Sequence, residues 1–182
     1  QNGPSQANFI ASGNSLDIYA NTRILESRVK YTILTQRADG GYDTTYETKN
    51  ALIGSVHTAS YANPNSSIYQ DPRFNPVQFT VSANENENQV TVTIDRNVYT
   101  VTFEVIGHNG TILNRVIRHG NTIGAIDESQ FAADGIGIIK AELDGNEKDK
   151  AEIENFVVQK NHKVTLHIGR LIKKFGKYPQ TK

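Results

Sequence analysis

The sequence contains no cysteine, no methionine and no tryptophan. Without cysteine the chain carries no disulfide framework, no thiolate metal site and no cysteine nucleophile. The compartment stays open, because secreted bacterial proteins commonly lack bridges. No stretch approaches the roughly 20 apolar residues that a membrane-spanning helix needs, and no short apolar run follows a basic start, so no membrane insertion is expected. The chain opens on Gln-Asn-Gly-Pro instead of methionine, which reads as a processed start.

What is present is polar and rich in turn formers. Hydrophobic residues make up 37% and charged residues 21% of 182 residues, enough for one good core. The formal net charge is zero but segregated: from Lys160 to Lys182 there are seven basic residues and no acidic one. Just before them, Glu142, Asp144, Glu147, Asp149, Glu152 and Glu154 stand against Lys148 and Lys150. Two readings are open: the segments are neighbours that neutralise each other, or the basic end docks on an acidic surface of another copy or partner. A chain neutral overall is a poor candidate for nucleic-acid binding, even with Phe175 and Tyr178 near the basic end.

The clearest local pattern lies between Gln89 and Ile106. Val90, Val92 and Ile94 alternate with Thr91, Thr93 and Asp95; past Arg96-Asn97, Tyr99, Val101, Phe103 and Val105 alternate with Thr100, Thr102 and Glu104. Period two on both sides of a short polar step predicts a β-hairpin, with Ile94 facing Tyr99, Val92 facing Val101 and Val90 facing Phe103. Thr91, Thr93, Thr100 and Thr102 would then share the opposite face, exposed to water or buried in an interface.

Strand-like segments also occur at Ser15–Ala20, Arg28–Gln36, Tyr42–Thr48, Ala51–Ser60, Val77–Val81, Thr111–Arg118, Gly135–Leu143 and Val164–Ile168. Short strands punctuated by Gly, Asn and Pro predict an all-β fold with one to three short helices, an antiparallel β-sandwich or barrel. Asp127-Glu-Ser-Gln130 has the form of a capping box and predicts about two helical turns. Asn146 is placed as the cap of a second helix carrying Ile153, Phe156 and Val157, and Leu171, Ile172 and Phe175 suggest a short terminal one. Asn84–Asn88 reads as a solvated turn. Residues 1–14 read as an extended arm anchored by Phe9 and Ile10, and 15–182 as a single domain with 120–182 a possible subdomain. Such an arm is a candidate for strand exchange with a neighbour.

Catalytic and metal constellations are sparse. The histidines are His57, His108, His119, His162 and His167, with no His-Glu-x-x-His pattern; strand alternation puts His162 and His167 on opposite faces. Asp144–Asp149 begins like a calcium loop but has a lysine where the third ligand belongs and lacks the turn glycine. Ser55 and His57 share a strand face, yet no Gly-x-Ser-x-Gly elbow surrounds a serine. No cofactor and no metal are expected. Asn65 and Asn109 lie in Asn-x-Ser/Thr sequons, at a frequency expected of so Asn-, Ser- and Thr-rich a chain.

The composition is of a kind found in viral tail and capsid components, surface subunits and carbohydrate-binding modules, with no motif to carry residues over. The expected function is therefore non-catalytic: a subunit of an extracellular, cell-surface or virion assembly, with adhesion or attachment as its task. Its partners are expected to be other copies or other subunits, with a glycan or surface receptor as a further possibility. Interface residues are Phe9, Ile10, Arg170, Lys173, Lys174 and Lys177. The alternative is a monomeric secreted glycan- or peptide-binding module in which the 62–76 loop presents Tyr61, Tyr69 and Phe74 as stacking surfaces.

Overall fold

In the computed structural model, which describes residues 25–172, alternating sequence becomes strand wherever one set of side chains finds a core. The strands are β1 (Glu26–Gln36), β2 (Tyr42–Leu52), β3 (Val56–Thr58), β4 (Arg73–Asn75), β5 (Gln78–Thr80), β6 (Gln89–Ile94), β7 (Val98–Ile106), β8 (Thr111–Arg118), β9 (Ile136–Leu143), β10 (Asn146–Glu147) and β11 (His162–Arg170). The described residues are thus mainly β. They form a four-stranded sheet in the order β2-β1-β6-β4, a five-stranded sheet in the order β10-β9-β11-β7-β8, and a β3-β5 pair. None of these sheets closes into a barrel. The pairing of β11 with β7 departs from the antiparallel expectation: the two run parallel, with Val164 beside Phe103 and Leu166 beside Val105.

The chain divides into two compact units. The first comprises Gln1–Leu34, Thr44–Ala62 and Pro72–Thr93, and the second Thr35–Asp43, Asn63–Asp71 and Ile94–Lys182. In the first, Val29, Tyr31, Val90 and Val92 are buried. Here Asn84–Asn88 departs from a solvated turn. Glu85–Glu87 form one 3-10 turn capped by Asn84, and Asn88 is fully buried. Its carboxamide donates to Ser82 O (2.7 Å), Ser27 Oγ (3.1 Å) and Arg28 O (3.3 Å) and accepts from Ser82 N (2.8 Å).

In the second unit the core lies on one face of the five-stranded sheet. Val101, Phe103, Val105, Val164 and Leu166 meet Ile123, Ile126, Phe131, Ile153 and Val158 from the segments that cross over it. The expected hairpin is absent: β6 lies between β1 and β4, and β7 between β8 and β11. Val92 opposes Phe74 instead of Val101, and Val101 opposes Arg115 and His162. Residues 95–97 form no turn because the chain at 68–70 pairs with them. Gln70 N donates to Asp95 O (2.8 Å), Asn97 N donates to Ile68 O (2.8 Å), and Tyr69 bridges Arg96. The four threonines consequently share no face. Thr91 and Thr93 oppose Asn75 and Arg73, whereas Thr100 and Thr102 oppose Val116 and Asn114.

One short helix is present among the described residues, within the expected one to three, but the individual segments differ from their expected bounds. Asp127 caps one 3-10 turn, Glu128–Gln130, instead of two helical turns. The second helix, α1 (Lys150–Glu154), is capped by Asp149 through a capping box with Glu152; Asn146 belongs to β10. Leu171 and Ile172 are irregular. Phe175, Ser15–Ala20 and the 1–14 arm lie outside the described residues.

Candidate functional site

One concavity of the second unit lies beneath β8. Phe103, Val105 and Leu166 make its floor, Ile126 and Phe131 its roof, and Leu113-Asn114-Arg115 its outer wall, around a volume of about 230 Å³. Three consecutive β8 residues line it, and consecutive strand side chains point to opposite faces, so the β8 main chain is itself part of the wall. The roof is set by the Asp127 cap. Asp127 Oδ1 accepts from Ser129 N at 2.9 Å, and Ala132 N donates to Glu128 O at 2.7 Å, a fold-back that turns Phe131 into the core. Ile126 N is tied to Glu154 Oε2 at 2.7 Å.

Polar groups stand at the rim. Arg115 places its guanidinium 4.7 Å from the Phe103 ring centroid and donates from Nη1 to Ile123 O at 2.8 Å. Hydrogen bonds from the Ser129 side chain and then its N–H hold the Asp127 carboxyl below its ordinary value, so it is ionised at neutral pH. Gln130 completes the rim. An apolar floor with a guanidinium, a carboxylate and a carboxamide at the mouth suits a group with an apolar body and a polar tip.

β8 is also an edge strand: it pairs with β7 and stands last in its sheet. Ile112 and Val116 are 62% and 67% exposed, and Leu113 is 43% exposed. The four-stranded sheet has an edge of the same kind in β2, eleven residues long and exposed along most of its length, with Tyr46 75% exposed. The other edges of these two sheets, β4 and β10, have three and two residues.

Of the residues expected to carry function, the four that are described, Tyr61, Tyr69, Phe74 and Arg170, do not line this cavity. Tyr69, half-buried in the second unit, packs its ring 5.3 Å from the Arg96 guanidinium; Nε and Nη1 of that guanidinium donate to Gln36 O (2.9 Å) and His119 O (3.0 Å). Tyr61 and Phe74 belong to the first unit, where Phe74 is half-buried on β4 opposite Val92. Arg170 ends β11, exposed, opposite Ile136. Phe9, Ile10, Lys173, Lys174 and Lys177 lie outside the described residues.

Ser55 and His57 engage different partners. Ser55 Oγ donates to Leu52 O at 2.6 Å, whereas His57 Nε2 meets the buried Tyr31 hydroxyl at 2.7 Å. Burial, then the Lys49 ammonium, pushes the His57 pKa down. The carboxylates of the calcium-like segment are occupied as well. Asp144 meets His162 Nδ1 through Oδ2 and Lys163 N–H through Oδ1 (2.9 Å), and Asp149 caps α1. The described part of the basic stretch is neutralised in part from farther away, Lys163 pairing with Glu104 at 2.8 Å.

Sequence reasoning passed over the edge role of β8 and of Tyr46. The legible signal was in β2, where DTTYETKN has no apolar alternation on either face, the mark of a strand with no core beneath it. The chain matches no known protein-family model and no curated protein sequence.

Proposed function

We propose that this chain is a non-catalytic interaction protein, a subunit of an extracellular, cell-surface or virion assembly, which associates through its open sheet edges. The observation that carries the reading is the pair of long edges, β2 and β8, that expose Tyr46, Ile112 and Val116. Unpaired N–H and C=O rows beside exposed apolar side chains are a liability that soluble chains usually blunt with short strands, proline or bulges. Neither strand contains proline, and both are longer than the other edges of their sheets. The reactive-looking side chains support the same reading, since Ser55, His57, Asp144 and His162 are each engaged in holding local structure.

Mass photometry and sedimentation across protein concentration, at low and high salt, test it. Oligomers growing with concentration are expected, and a monomer under every condition would overturn the proposal. Immunolabelling of the native source is expected to place the protein outside the cytoplasm, and a cytoplasmic pool alone would overturn that part.

A further inference from the structure

The cavity beneath β8 has an occupant that fits within the same sequence. We infer that it receives the Tyr46 side chain of a second copy, whose β2 strand adds to the β8 edge; the inference rests on the assembly reading above. Three observations converge. An apolar cavity of about 150 Å³ suffices to hold benzene, so the 230 Å³ here accommodates a phenol ring. Tyrosine pairs an apolar ring with a hydroxyl, the counterpart of a Phe103, Val105 and Leu166 floor with Asp127 and Gln130 at the rim. Tyr46 stands 75% exposed on β2, which has no neighbour on its outer side among the described residues, and this edge suits the same addition.

Register supports the match. In an antiparallel pairing, directly opposed residues point to the same face. Arg115 lines the cavity, so setting Tyr46 opposite it sends the ring toward the cavity side. The same register puts Asp43 opposite Arg118 and Glu47 opposite Asn114 on the outer face. The two edges carry complementary charge: β8 has Arg115 and Arg118 and no acid, while β2 has Asp43 and Glu47 against Lys49. Donor strand and acceptor edge are different surfaces of one chain, so the interface is heterologous.

Two variants test this together: Tyr46→Ala, which removes the donor ring, and Leu113→Glu, which puts a charge in the wall of the acceptor at an exposed position. Circular dichroism and thermal melting establish that each is folded. In mass photometry, each variant alone should associate at least tenfold more weakly than wild type, and Tyr46→Phe, which keeps the ring and loses the hydroxyl that meets Asp127 and Gln130, should fall between Tyr46→Ala and wild type. Mixing Tyr46→Ala with Leu113→Glu should restore association between unlike chains, because one supplies an intact cavity and the other an intact tyrosine. Wild-type assembly that survives Tyr46→Ala, or a mixture that fails to associate, overturns this inference and leaves the assembly reading standing. A wild type that is monomeric throughout overturns both.

Discussion

Asn88→Ala should be among the most destabilising single changes in the first unit. The carboxamide is 0% exposed and makes four hydrogen bonds, so truncation strands its partners inside the protein. The two shortest run to Ser82, at 2.7 Å to its C=O and 2.8 Å from its N–H. Each buried polar group left unpaired costs about 1–3 kcal/mol. Ser82 is half-buried, so water recovers part of its share, while Ser27 is buried. The combined loss comes to about 3–4 kcal/mol. At about 2–4 °C per kcal/mol for a chain of this size, melting should fall by roughly 6–16 °C. Asn88→Asp sharpens the test, because it keeps the shape but loses every donor and sets a carboxylate against Ser82 O and Arg28 O. It should be at least as damaging at pH 7 and recover in part as pH falls towards about 4, because burial against two carbonyl oxygens raises the folded pKa of the acid and its protonated form regains one donor. Urea unfolding followed by circular dichroism reads both, and amide exchange at Ser82 reports the local loss. A cost below about 1 kcal/mol for Asn88→Ala, or an Asp variant as stable as wild type at pH 7, would mean that this carboxamide does not hold the unit together.

Other parts of the structure give further expected outcomes. Arg96→Ala removes two charged hydrogen bonds and a cation–π contact and should cost about 2–3 kcal/mol, with faster amide exchange at Gln70 and Asn97; unchanged exchange there would sink the account of why residues 95–97 do not turn. His57 binds its proton less readily in the folded chain than its ordinary value of 6.5 implies, so the unfolded chain holds more protons near that pH. Its contribution to stability should therefore be complete above pH 6.5 and lost on acidification through that window, and His57→Gln should flatten the pH dependence of melting. Burial raises the Asp144 pKa, but the Lys163 N–H and His162 bonds outweigh it and hold the carboxyl below its ordinary 3.8. The stability it supplies should thus be present above that pH and decline as pH falls below it, and Asp144→Ala should lose that component of the acid transition in urea unfolding.

The strands were largely legible: Thr111–Arg118 carries the bounds expected of it, and β1 and β9 differ by one or two residues. Period two reports which side chains share a face, however, and says nothing of which strand lies alongside. Val90 to Val105 satisfied a hairpin as well as two separate sheets, and the choice fell to a distant segment, Ile68 to Gln70, that holds residues 95–97 extended. Helix length failed for a related reason. Asp127 and Asp149 cap turns as their chemistry dictates, but the first segment ends where Phe131 enters the core, and α1 ends where residues 156–158 leave the helix to pair with 121–123. The cavity was not legible, because its floor, wall and roof come from β7, β8, β11 and the 126–131 segment, brought together only by the sheet order.

The parallel partnership of β7 with β11 governs the timing of folding. β11 is the last strand in the described chain and sits third of five in its sheet, between β9 and β7. Until residues 162–170 leave the ribosome, β7 and β9 each keep a raw side and the hydrophobic cluster lacks Val164 and Leu166. The second unit therefore waits for nearly all of these strands before it closes, at the slow rate that long-range parallel pairing imposes. During that wait the nascent chain displays the sticky edges that the finished sheet confines to its margins, so its yield in a cell should depend on chaperone supply more than its final stability suggests.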